Sequence, residues 1–508
     1  MSFPAFPGER VSTVDTSSER REYNVAPERD IFTLSVGTYV SHYQVKRGAV
    51  LFFIALLSVI IGVILLGLPA RAAFVSTGII IFAAVLSFHP FMGLFVQIWL
   101  YFNPFHIYGG PEFLRPIFLV TFLILAFFLM RYISSRNMTI KFPLEGKIAL
   151  LLLAFMTLSS FFAAHSSSLS FSSNMALLKV IIFYLLVINL LDSRKKLNMF
   201  VWFLIFCCAL AAFKTIRMHT FYGIIRVDNV GGVQGTSGGL STTLVMVLPL
   251  VFHKIYSRNF YEKIISLVLV PIFILGTILA GSRGGTLGLA GVLVLLVWKF
   301  RRKGITWLIL ALVLAAAVAA APGEFWDRTM TILEYQDDGS AMNRIRHWKA
   351  GIQMFKDHPL TGIGQGNFEW VSPRYTKEYY QAWLGRGFAA HNIFIQLLAE
   401  GGIQALAIFL FLMGYTFRSL RRTRQICSFE PVGTGLRGLS QAAEIGLIGF
   451  LICGVFISRE GTDILYWLLA MGPVGLYLAG EERDARAAGA SPEAQSPAPR
   501  AGRQSRDR

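Results

Sequence analysis

Charge is the scarcest thing in this chain. Only 15% of its 508 residues are Asp, Glu, Lys or Arg, whereas 54% are hydrophobic and 43 are phenylalanine. That balance excludes an ordinary soluble protein of this length, which would carry far more charge over two or three domains. Cysteine is nearly as rare. Of the four present, Cys207 and Cys208 are adjacent inside an apolar run, and neither they nor Cys427 and Cys453 have metal-ligand spacing. A disulfide framework or zinc site is therefore not expected. The first apolar run begins only near residue 49, behind a polar arm, so no cleavable signal peptide is expected either.

Acidic residues are short too: 29 against 47 Lys and Arg, a formal net charge of +18. The excess is spread over short loops between apolar runs, the positive-inside pattern that sets membrane topology, so no nucleic-acid partner is expected.

What the chain has in abundance is apolar runs of about 15–20 residues, the length of membrane-crossing helices. Spans are expected at 49–68, 72–88, 90–102, 116–130, 147–163, 175–191, 197–213, 239–253, 264–281, 284–298, 305–321, 403–417, 443–457 and 463–479. The fold class is thus all-α, a polytopic integral membrane protein of about 12–14 transmembrane helices. Residues 1–48 and 480–508 are expected to be disordered tails, and 322–402 a long loop between 49–321 and 403–479.

Loops holding Lys46, Arg131, Lys141, Lys254, Lys299 and "RSLRRTR" (418–424) alternate with loops poor in Lys and Arg. The basic set faces the cytoplasm, and both termini go with it. The segment 322–402, the 214–238 loop and the turn "GSRGG" (281–285) then lie outside, and each carries cations against the bias. A long loop is exempt from the rule, but Arg283 in a short turn is not. Within the long loop, "SAMNRIRHWKAGIQMF" places Ala341, Ile345, Trp348, Ile352 and Phe355 on one helical face, with Arg344, His347 and Gln353 at its edge. It is either an amphipathic helix on the outer membrane surface or one packed on the spans.

Arg283 has two readings. Flanked by Ser282 and by glycines, its guanidinium is suited to phosphate oxygens; alternatively it snorkels to anchor a hairpin. Arg226 lies in "GIIRVDNVGGVQGTSGGLSTTL", where free N–H groups and hydroxyls at a helix start form an anion cradle; alternatively it is a surface arginine paired with Asp228. His391 precedes "NIFIQLLAE" and is assigned to the first turn of a helix. The helix dipole and nearby arginines keep an imidazole of intrinsic pKa ~6.5 neutral, a form that accepts a proton from a hydroxyl. The alternative is a capping histidine. Glu400 is a weaker candidate to orient it, separated from it by a full helical turn or more. Ionisable groups at Lys179, Glu444 and Asp463 are placed near span ends. That pattern, without internal repeats, speaks against a transporter, the rival from another class.

"LAGSRGG" (279–285), "DGSAMNRIRHWKAGIQMFKDHPLTGIGQGNF" (338–368) and "AHNIFIQLLAEGG" (390–402) resemble, in that order, the motifs of the O-antigen ligase and polymerase superfamily. With "HPFMGLFVQIWLYFNPF" (89–105), the outer-loop motif further resembles a branch of O-glycosylation ligases found with exosortase systems. The resemblance implies a GT-C-like bundle in the bacterial inner membrane with a periplasmic active site. It also implies inverting transfer of a glycan from undecaprenyl diphosphate to a lipid A–core, protein or glycan acceptor, without metal or cofactor. Arg226 and Arg283 match the diphosphate-binding arginines and His391 the catalytic histidine. Arg344 matches a supporting arginine. Ser282 and Asn392 join it as substrate-binding candidates. The family's Asn-x-x-Ala after the first arginine is replaced here by "TSGGLSTTL", so Arg217 is the fallback for Arg226.

Overall fold

A computed structural model describes residues 85–103, 115–135, 139–224, 236–300, 339–377, 385–457 and 463–488. The spans expected at 49–68 and 305–321, most of that at 72–88, and Arg226 lie outside the described residues. All fourteen elements of the described residues are helices. They are α1 (Pro90–Phe102), α2 (Pro116–Ser134), α3 (Leu144–Ser160), α4 (Ser167–Leu190), α5 (Arg194–Tyr222), α6 (Ser237–Lys254), α7 (Phe260–Leu279) and α8 (Arg283–Phe300). There follow α9 (Gly339–Asp357), the single turns α10 (Phe368–Val371) and α11 (Pro373–Thr376), then α12 (Ile393–Ile426), α13 (Gly435–Gly454) and α14 (Asp463–Ala487). Seven of the described helices are long and apolar enough to cross a membrane, which makes this a multi-pass membrane protein.

Local chemistry sets the boundaries. Pro116 opens α2 at a position where its missing N–H costs nothing. The Ser166 hydroxyl accepts from Leu169 N at 3.3 Å to start α4, and the Ser193 hydroxyl accepts from Lys196 N to start α5. Gly223, at φ 61°, ends α5 in the left-handed cap that only glycine adopts freely.

Helix α6 is the axis of the bundle: every residue in it except Gly238 is buried. It packs along α7, α8 and α13. A helix enclosed on all sides must satisfy its polar groups internally. Accordingly Ser241, Thr242 and Thr243 donate to the carbonyls of Ser237, Gly238 and Gly239 at 2.7, 2.8 and 3.0 Å. The hydroxyl protons of these three residues are thus spent within the helix rather than in an anion cradle.

The bundle has two chemically different ends. At the basic end, the buried Glu444 of α13 is ion-paired with Arg424 of α12 (2.6 Å) and Lys299 of α8 (3.3 Å), and Arg194 of α5 pairs with Glu430 and Glu482. Burial of a paired charge is tolerable where an unpaired one is not. The Glu482 pair also explains why α14 runs on to Ala487, past the boundary at 480 expected for a disordered tail: Arg486 stacks over Phe429 at 3.6 Å as well.

Lys179 departs from expectation. Helix α4 starts at Ser167 because the Ser- and Asn-containing stretch ahead of the apolar run is helical too. Lys179 therefore sits midway along α4 rather than near an end. It is buried and lies 3.3 Å from Asp463, the first residue of α14, which neutralises it. All four cysteines are free and buried.

Candidate functional site

At the end of the bundle opposite the basic one, three helix N-termini meet one corner. The first is α8. Ser282 Oγ accepts from Gly285 N at 3.3 Å and its carbonyl takes the Thr286 hydroxyl at 3.1 Å, so Ser282 is the cap of the helix. Arg283, half-buried, is its first residue. Behind it the glycines are packing residues. A Cβ on Gly284 would lie 2.5 Å from Phe456 Cβ, and one on Gly288 would overlap Cys453 Sγ. Side-chain atoms at Gly285 would overlap Ser241 of α6. Small residues at this spacing let α8 lie directly against α13 and α6.

The second N-terminus is that of α6. Thr236 Oγ1 accepts from Gly239 N at 3.1 Å, and Gly238 faces both Ser282 Oγ and Ile457, 3.8 and 3.3 Å from where its Cβ would be. The third is that of α12. Asn392 Oδ1 accepts from Phe394 N and Ile395 N at 3.0 and 3.1 Å, a bifurcated N-cap. Gly454, at the end of α13, sits against Ile393, whose Cγ2 is 2.8 Å from the position of a Cβ there. The residues Gly454 to Ile457 thus touch all three helix starts. Three positive helix ends meeting at one region make it favourable for an anion.

His391 stands one position before the cap, so it lies outside the helix rather than in its first turn. It is exposed, and its φ is +49°, one of two positive values among the described non-glycine residues. A side chain held in the left-handed region costs energy and persists only where its surroundings fix it.

Those surroundings come from α9 and the residues just before α12. Trp348 Nε1, on α9, donates to the Ala390 carbonyl at 3.0 Å. Helix α9 packs on α12 through Ala350, Gly351 and Met354, while Ile352, expected on the apolar stripe, is exposed. The reason is close approach: a Cβ at Gly351 would meet Ile395 Cγ2 at 2.5 Å. His347, expected at the edge, is buried beneath Phe388. Arg344 is half-buried one helical turn before Trp348, on the same side of α9.

Helix α12 is itself broken. Gly402 has φ 72° and ψ −171°, which leaves the preceding carbonyls without helical partners. The segment after α9 fills them, with Ile363 N donating to Ala399 O at 2.9 Å and Gly364 N to Glu400 O at 3.0 Å, and its Pro359 carbonyl in turn accepts from Ile403 N at 3.0 Å. Ser159 Oγ of α3 adds a bond to Glu400 O at 2.7 Å. Gly362, Gly364 and Gly366 all take positive φ. The "HPLTGIGQGNF" stretch is a backbone brace for the interrupted helix.

The structure therefore gathers Ser282, Arg283, His391 and Asn392 around one corner, with Arg344 beside it on α9. Ser282 and Asn392, read as substrate contacts, have their side-chain oxygens committed to capping. Arg217 is exposed on α5, which packs on α7, α6 and α1. Sequence reading missed Trp348 and Gln396 as groups acting on the residue next to His391. Outside the spans, Tyr375 donates to Asp357 at 2.7 Å, tying α11 to α9. That bond holds the Asp357 carboxyl below its usual range, while burial and the same carboxylate push Tyr375 up to about 12. Among the described residues no group of three His, Cys, Asp or Glu is placed to hold a metal ion.

Residues 265–410 match the family model for O-antigen ligase. The match runs from α7 into α12 and includes Arg283, Arg344, His391 and Glu400, while Arg217 and Arg226 fall before it. Among curated proteins none matches the chain.

Proposed function

We propose, from the premise that this chain is a multi-pass membrane enzyme of the O-antigen ligase superfamily, that it transfers a glycan from undecaprenyl diphosphate to an acceptor hydroxyl at the periplasmic face of the bacterial inner membrane. The acceptor is lipid A–core oligosaccharide, a protein or another glycan. The observation that carries this reading is the meeting of the α6, α8 and α12 N-termini at Gly454–Ile457, with Arg283 and His391 at two of them.

The diphosphate lies against Arg283 and the helix starts, with Arg226 as the second cation. Their positive ends stabilise the charge that grows on the leaving group. The imidazole of His391 takes the proton from the acceptor hydroxyl. The acceptor oxygen then bonds to the anomeric carbon from the face opposite the diphosphate. The bond from that carbon to the diphosphate oxygen breaks, and its electron pair leaves with the polyprenyl diphosphate. One glycosidic bond forms as one breaks, with inversion. The diphosphate is already a good leaving group, so the scheme calls for no further activation.

The test is direct. Purified protein in detergent or nanodiscs is given a synthetic polyprenyl-diphosphate sugar and a panel of acceptors: lipid A–core, peptides and oligosaccharides. Mass spectrometry should find an acceptor heavier by the glycan, formed together with free polyprenyl diphosphate. Donor left intact with every acceptor contradicts the proposal. Which acceptor is used decides between ligase and polymerase.

A further inference from the structure

The left-handed turn at His391 is held from one side by a polar relay buried in the first segment of α12. Ala390 N donates to Gln396 Oε1 at 3.1 Å, and Gln396 Nε2 donates to Glu400 Oε1 at 2.6 Å. The same Glu400 oxygen accepts from Phe368 N, at the start of α10, at 3.2 Å. Glu400 is only 1% exposed and Gln396 7%. On the other side Trp348 Nε1 binds the Ala390 carbonyl, so both polar atoms of that residue's backbone are bound. Asn392, the residue after His391, is fixed as the cap.

His391 is thus a strained residue between two pinned neighbours, which is the arrangement that keeps such a conformation populated. A buried carboxylate is an expensive way to hold one amide. An apolar pair at 396 and 400 would pack a helix equally well but would leave Ala390 N without its acceptor. The relay also crosses elements: through Phe368 N it couples the His391 turn to the loop that braces the break in α12.

We propose that Gln396 and Glu400 are positioning residues that set the direction of the His391 imidazole through the Ala390 amide. This rests on the reading of His391 as the proton acceptor, but the geometric part stands without it. Glu400 touches neither substrate nor the reacting atoms; it acts through Gln396, which acts through the backbone.

The test uses full-length protein in nanodiscs and four forms: wild type, Gln396→Leu, Gln396→Glu, and the exchange Gln396→Glu with Glu400→Gln. The leucine removes the acceptor for Ala390 N. The single glutamate keeps it but sets two carboxylates against each other. The exchange restores the two bonds that lead to the Ala390 amide, because Glu at 396 accepts from Ala390 N and Gln at 400 donates to it; only the Phe368 N bond, which shares Glu400 Oε1 with Gln396, is given up. Two readouts are taken. One is the rate at which diethyl pyrocarbonate modifies His391, followed peptide by peptide by mass spectrometry; the other is kcat and KM for transfer.

Gln396→Leu and Gln396→Glu should change the His391 modification rate at least about threefold and lower kcat about tenfold or more, with KM within about twofold, since a misaimed catalytic group costs rate rather than affinity. The exchange should recover both. An unchanged modification rate in both single variants overturns the proposal, as does an exchange that recovers neither readout while the protein melts like wild type. If wild type forms no product, the transferase reading fails, and the modification rates still decide the relay. Should the leucine variant fail to fold, the glutamate and exchange variants carry the comparison.

Discussion

The Gly364 N–H donates to the Glu400 carbonyl at 3.0 Å, so the loop following α9 is bonded, backbone to backbone, to the break in α12. Glycines on both sides of this contact leave no room for a Cβ. Gly402 has φ 72°, and a Cβ there would lie 2.5 Å from the Leu360 carbonyl oxygen; one on Gly362 would overlap the Glu400 carbonyl. Gly402→Ala is expected to lose about 2–3 kcal/mol from left-handed strain and overpacking together. Thermal unfolding of the purified variant measures this, and an unchanged melting temperature would mean that the brace is not required.

The packing of α8 on α13 gives a second prediction. Gly288→Ala brings a methyl onto Cys453 Sγ and should destabilise the protein by about 1–3 kcal/mol. Cys453→Ala removes the obstructing sulfur. The double variant should return close to wild type, because alanine also has the better helix propensity by roughly 1 kcal/mol. A double-mutant cycle with no coupling would contradict the contact.

Acid should dissolve the tie between α9 and α11. Asp357 accepts from Tyr375, and its carboxyl titrates below its ordinary 3.8. A carboxyl depressed in the folded state stabilises it above the unfolded value and loses that contribution as pH falls through the folded one. Wild type should therefore be more stable than Tyr375→Phe near neutral pH, and the difference should shrink below about pH 4. Melting curves across pH 3 to 7 test it; a gap that persists undiminished at the acid end rules it out.

These features differ in how far they can be read from the chain. Apolar runs located each described span, because a helix crossing lipid must be apolar over a fixed length whatever it packs against. Lys179 lies mid-helix rather than at a span end because the Ser- and Asn-containing start of α4 is helical without being apolar. Ser282 and Asn392 are helix caps in the structure, a role the sequence does not separate from substrate contact, since a cap and a ligand site favour the same residues at a helix start. Gln396 gave no signal: its partner Ala390 lies across a left-handed turn, a relation with no helical periodicity. The glycines of "TGIGQGNF" marked a turn, but their reason, close approach to the carbonyls freed by Gly402, needs both segments in space.

The central claim is that His391 takes a proton at a site where Arg283 holds the donor diphosphate. It is tested most directly by the transfer rate of His391→Ala, measured by mass spectrometry in nanodiscs on protein that melts like wild type. The account predicts a fall in kcat of roughly 10²–10⁴, with binding of the polyprenyl-diphosphate donor retained and lost instead in Arg283→Ala. A wild-type rate from His391→Ala would contradict it.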